Sequence, residues 1–195
     1  MNLLEAALFA LFALSLFHGF LSRGGWWVAR FFIPITCLAL FVDNVVVATG
    51  HLRYLPSFSL WACGVPLCIG VGWGALLYIV YWFAEHPKIP LNNDGKGLVV
   101  LSLLLSLTDF FVESCVPTSL FGWEWVGVGG EAKVPLRNLL GWFLISSSYL
   151  LVFARVEALE ASPRKKMAIL LTCSIALSIL IIAVLKIVRV VTGID

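Results

Sequence analysis

Three carboxylic acids stand inside stretches of this chain that are otherwise apolar: Asp43, Asp109 and Glu113. An ionisable side chain in such a run is costly, so each needs a partner or a task. Asp109 and Glu113 have the i, i+4 spacing that puts both on one face of a helix. Carboxyls gathered in a low-dielectric site cannot all ionise; one keeps its proton while another stays charged beside a cation such as Arg53 or Arg137. A protonated acid beside a carboxylate is the equipment for general acid–base chemistry at neutral pH.

The elements that must position these groups are membrane helices. Of 195 residues, 61% are hydrophobic and 12% charged, and the mean hydropathy is +1.02, which excludes a soluble domain. A spanning helix needs roughly 20 apolar residues. Six runs qualify: Asn2 to Phe20, Trp27 to Val47, Leu60 to Phe83, Leu98 to Val116, Leu136 to Phe153 and Met167 to Val188. The first lacks a basic leader and a small-residue cleavage site, so it reads as a retained helix. The fold expected is all-α, a polytopic transmembrane bundle forming a single membrane domain over residues 1–195, in a multi-pass protein of the cell membrane.

Charge and cysteine usage add exclusions. A net charge of +2 spread over short connections argues against a nucleic-acid partner. Cys37, Cys63, Cys68, Cys115 and Cys173 form no CxxC or Cys/His cluster, so no metal site is implied and packing roles are expected. Arg23, Arg30, Lys88, Lys96, Arg155, Arg164, Lys165 and Lys166 fall on one side of the predicted bundle, and Arg53, Lys133, Arg137, Lys186 and Arg189 on the other. That bias favours both termini outside the cytoplasm. The polar connection from His86 to Gly97, with Pro87, Pro90 and an Asn-Asn-Asp-Gly turn, reads as a solvated loop.

The chain also contains a repeated pattern. Val65-Pro66-Leu67 followed by Gly72-Trp73 recurs as Val134-Pro135-Leu136 followed by Gly141-Trp142, an offset of 69 throughout. Proline suits a first helical turn, and the glycine allows close helix contact in a bilayer. The same offset carries Asp43 to within one residue of Glu113. A repeat of two helices is therefore expected, helices 2–3 and 4–5, with units 40–85 and 109–153 inserted in the same orientation. Alternating helix directions then bring the three acids, Thr49, His51, Arg53, Tyr54, Trp123-Glu124-Trp125, Arg137 and Asn138 to one side of the membrane. The structural alternative is that the acids cap helices or neutralise arginines and the tryptophans form an interfacial belt. Glu5 and His18, each alone on the first helix, read as snorkelling or packing residues, and Glu124 as solvated or catalytic.

Asp43-Asn44-Val45-Val46-Val47-Ala48-Thr49-Gly50, then Arg53-Tyr54, then Gly64-Val65-Pro66-Leu67 resembles a block order found in the membrane carotenoid hydratases, which include bisanhydrobacterioruberin hydratase and carotenoid 1,2-hydratase. Asp109-Phe-Phe-Val-Glu113, Trp123-Glu-Trp125 and Val134-Pro135-Leu136-Arg137-Asn138 through Gly141-Trp142-Phe143 resemble that family's later blocks. The chain departs from it in having Asp43 for glutamate, Glu113-Ser114 for Asp-Pro and Lys133 for glycine. The resemblance implies addition of water to the terminal double bond of an acyclic carotenoid dissolved in the bilayer, with no cofactor. It implies Asp43, Asp109 and Glu113 as catalytic groups, and Thr49, Arg53, Tyr54, Trp123, Trp125, Asn138 and Trp142 as substrate-binding ones. Protonation by Asp109 or Glu113 would give a tertiary cation faced by tryptophan π systems, and Asp43 would orient the water. Alternatives are a membrane terpenoid cyclase using the same acids, a small transporter or channel with a carboxylate relay, and a structural subunit.

Overall fold

The computed structural model describes residues 2–86, 95–115, 122–126 and 134–192. The predicted loop around Pro87 and Pro90, the end of the fourth run at Val116, and Lys133 lie outside them. Among the described residues six helices are long and apolar enough to cross a membrane, and the chain is an integral membrane protein: α1 (Leu3–Arg23), α2 (Gly25–Ala48), α3 (Leu67–Glu85), α4 (Lys96–Cys115), α5 (Leu136–Glu157) and α6 (Pro163–Thr192). Asn2 caps α1, its side-chain oxygen accepting the Glu5 N–H at 2.7 Å. Gly24, with φ of 83°, turns the chain sharply from α1 into α2. Pro34 is buried inside α2, which runs through it as one helix.

Helix α3 is the most buried span and packs on α1, α2 and α4. Its glycines permit that. A Cβ on Gly70 would come within 2.5 Å of Leu40 on α2, and one on Gly72 within 2.9 Å of Leu8 on α1. Helix α5 packs on α4 and α6, and α6 also packs on α2. The half of the bundle around the start of α2 is packed with aromatic rings. There Trp27 stacks on Phe31, Phe31 meets Phe153 edge-on at 4.8 Å, and the Tyr149 hydroxyl donates to the Phe31 carbonyl at 2.6 Å. Arg30 closes this end with a bidentate pair to Glu157, at 2.8 and 2.9 Å.

At the other end the structure corrects the expected boundaries. Helix α3 starts at Leu67 rather than Leu60, because residues 61–66 form a hairpin of β2 (Trp61–Ala62) and β3 (Val65–Pro66). Cys63 turns it with φ of 58°. Asn44 pins it to α2 by accepting the Gly64 N–H and donating to the Ala62 carbonyl. Trp123–Trp125 is a strand (β4) paired antiparallel with β1 (Leu52–Tyr54). Two segments distant in sequence satisfy each other's backbone groups where both leave the bilayer. The cysteines are likewise corrected: Cys68 is buried, but Cys37, Cys63 and Cys115 are exposed, on bilayer-facing or turn positions rather than in the core.

Glu5 does not snorkel. It is fully buried and accepts the backbone N–H groups of Ser59 and Leu60, tying α1 to the segment before the hairpin. His18 Nδ1 lies 2.5 Å from the Tyr78 hydroxyl, joining α1 to α3 on the bilayer-facing side.

Candidate functional site

The ends of α2 and α4 and the starts of α1, α3 and α5 surround one cavity of about 140 Å³. Asp43, Asp109 and Glu113 all line it, with Tyr54, Trp123, Trp125, Asn138 and Trp142. Asp43 and Glu113 are only 6% and 8% exposed, whereas Asp109 is half-buried at the rim.

The two-stranded β1–β4 sheet roofs the cavity, and the alternation of a strand sorts its side chains. Leu52, Tyr54, Trp123 and Trp125 face in. Arg53 and Glu124, opposite each other in the register, pair on the outer face, where Arg53 is 69% exposed. Arg53 therefore pairs with Glu124 rather than with a cavity acid, and the same bond accounts for Glu124. Thr49 also lies outside the lining: its hydroxyl donates to the Val45 and Val46 carbonyls at the end of α2. Sequence position placed both residues on the correct side of the membrane, but strand alternation and helix capping turn them away from the cavity.

The carboxyls differ in what holds them. Glu113 accepts a hydrogen bond on each oxygen, from Trp123 Nε1 at 2.7 Å and from Asn138 Nδ2 at 2.9 Å. Asp43 accepts one, from the Tyr54 hydroxyl at 2.9 Å. Asp109 accepts none among the described residues. Burial, then the neighbouring Asp43, pushes the Tyr54 phenol well above its ordinary range, so it stays protonated and keeps donating. Tyr54→Phe is expected to lower stability by about 1 kcal/mol, read as a lower thermal midpoint of the purified protein in detergent. An unchanged midpoint would mean the bond contributes nothing to holding Asp43.

The second indole donor, Trp125 Nε1, is buried beside the Glu113 carboxyl without a well-aligned hydrogen bond among the described residues. The inner wall is Trp142 stacked on Trp73, ring centroids 3.6 Å apart and 10° from parallel. Trp73 was named from the sequence as a residue of the repeat but not as a site residue, although it sits 69 positions before Trp142. Leu4, Leu8, Leu52, Ile69, Gly72 and Leu76 supply apolar lining that no polar signal marks.

Chemically the cavity offers a carboxyl without a donor among the described residues, a second carboxyl held by two donors, and aromatic faces, in a pocket sized for a small hydrocarbon group. Among the described residues no cluster of His, Cys, Asp and Glu could hold a metal ion. Residues 2–194 match the sequence profile of a family described as carotenoid biosynthesis protein. No curated protein and no solved structure matches the chain.

Proposed function

The chain belongs to the carotenoid biosynthesis protein family, and from that premise we propose that it adds water to the terminal isopropylidene double bond of an acyclic carotenoid. The observation that carries this reading is the unequal treatment of two carboxyls one helical turn apart on α4. Glu113 has an N–H donor on each oxygen, and Asp109 has none among the described residues.

Donors on both oxygens favour the anion, so Glu113 is the base; Asp109 holds the proton. The π pair of the terminal C=C forms a C–H bond with the Asp109 proton, leaving a tertiary cation on the dimethyl carbon. Trp142, Trp123 and Trp125 present π faces to that charge. Asp43, oriented by Tyr54, supplies a counter-charge across the cavity. A water held by the Trp125 N–H and Glu113 donates its lone pair to the cation, and its proton passes to Glu113. Transfer of that proton to Asp109, one turn away, resets the site. The net change is one water added, with no oxidant, reductant or cofactor. This assigns the water-activating role to Glu113 rather than Asp43, because Asn138 and the indole donors surround Glu113.

The repeat also enters as part of the reading. Pro66 and Pro135 adopt the same capping conformation (φ −61° and −63°, ψ 133° and 137°). Tyr54 pairs with Trp123 across β1–β4, and Trp73 stacks on Trp142. Each of these residue pairs is separated by 69 positions, as a local two-fold axis along the membrane normal requires. Asp43 with Tyr54 and Glu113 with Trp123 are then the two copies of one acid–donor arrangement.

Expression of the chain in a lycopene-accumulating host, with mass analysis of the pigments, tests the proposal. A product heavier by one water is expected. A new product of unchanged mass would instead establish the cyclase alternative, and unaltered pigment would overturn both. The transporter alternative is disfavoured by α2, which is unbroken at Pro34.

A further inference from the structure

The cavity volume of about 140 Å³ is close to the roughly 150 Å³ of an engineered cavity that takes benzene. It can hold the tip of an isoprenoid but not the chain, so the remainder must leave the protein. The shape of the lining shows where. Ile69, Gly72, Trp73 and Leu76 lie on one face of α3, a strip about 10 Å long at the rise of an α-helix. Leu4 and Leu8 of α1 border one side of this strip, and Asp109 of α4 the other.

Helix α1 packs chiefly on α3 and α2, and α4 on α3 and α5, so α3 separates them and the strip is the floor of a cleft. The other flank of the bundle is arranged differently, for there α6 packs on both α2 and α5 and closes it. The aqueous end of the cleft is roofed by Leu52, Tyr54, Trp123 and Trp125. Away from the cavity-facing residues, α4 exposes Leu104, Phe111 and Val112, and α1 exposes Leu3 and Leu14. The most accessible of the three carboxyls, Asp109, stands at the cleft's edge.

We infer that the cleft between α1 and α4 is a lateral entrance that takes one linear polyunsaturated hydrocarbon chain from the bilayer, tip inward against the Trp73–Trp142 wall and tail along α3 into lipid. The occupant's identity rests on the proposed function; the path rests on the continuity of the apolar strip with the carboxyl cavity. Leu8 is the gate residue by position, since it leans on Gly72 at the middle of the floor.

The test uses the full chain in lipid nanodiscs loaded with lycopene, scoring pigment retained on the protein and product formed as separate readouts. Leu8→Trp should reduce both by about tenfold or more, equivalent to 1.4 kcal/mol. Phe17→Trp, on the exposed face of the same helix and away from the cavity, should leave both unchanged. Leu76→Trp, on the cleft floor, gives a second obstruction should Leu8→Trp fail to fold. Retention and conversion undiminished by a folded cleft variant would overturn the entrance. Wild-type retention that Leu8→Trp abolishes, with no hydrated product from either, would support the entrance while removing the hydratase reading.

Discussion

Asp109→Asn is expected to lower conversion of the polyene by roughly 10²–10⁴-fold, the range attributed to a positioned general acid. The substitution preserves shape and removes only the transferable proton. Asp109 accepts no hydrogen bond from the described residues and sits half-buried at the cavity rim. The amide therefore breaks no bond within the bundle and should leave folding, membrane insertion and pigment retention near wild type. Activity lost with retention kept separates a chemical role from a structural one. Hydration at the wild-type rate by a folded Asp109→Asn protein would remove this acid from the mechanism.

Glu113→Gln should be comparably severe, again about 10²–10⁴-fold in hydration, but with a different signature. A glutamine can satisfy only one of the two donors, Trp123 Nε1 and Asn138 Nδ2, because its amide nitrogen would face the other. A stability loss of about 1–3 kcal/mol should accompany the kinetic one. More telling is the fate of the cation. With Asp109 intact the alkene is still protonated, but without Glu113 the water is not deprotonated as it attacks, and the cation reverts to alkene by losing one of its own C–H protons to the Asp109 carboxylate. In deuterated water the variant should therefore place deuterium into polyene of otherwise unchanged composition, with little hydrated product. Glu113→Gln that neither hydrates nor exchanges would mean that Glu113, not Asp109, delivers the proton, reversing the two roles.

The two variants also test a difference that no sequence pattern carries. Asp109 and Glu113 have the same chemistry and share one helix face, and the sequence reading left either as the proton donor. What separates them is the company each keeps. Glu113 meets an indole from β4 and an amide from the first turn of α5, both beyond its own helix, whereas Asp109 meets no donor among the described residues.

Much of the architecture was nevertheless legible from the chain alone. Six apolar runs became six helices because a bilayer requires each span to satisfy its own backbone, which leaves hydropathy a direct readout of the fold. Alternation of those spans brought Asp43, Asp109 and Glu113 to one end, with Tyr54, Trp123, Trp125, Asn138 and Trp142 around them. Trp73 was within reach through the offset of 69 from Trp142. The apolar lining was not, since leucines on α1 and α3 look the same whether they face lipid, a neighbour or a cavity.

The sequence by itself determined which segments form spanning helices and which end of the bundle the candidate site residues occupy, since both follow from one-dimensional quantities: run length, hydropathy and parity. Only the tertiary structure decided which way the side chains at that end point. The pairing of β1 with β4 joins residues some seventy positions apart, and its alternation turns Tyr54, Trp123 and Trp125 inward while sending Arg53 to Glu124 outside. That choice arises from contacts between distant segments competing for the same backbone donors and acceptors, which local composition does not encode.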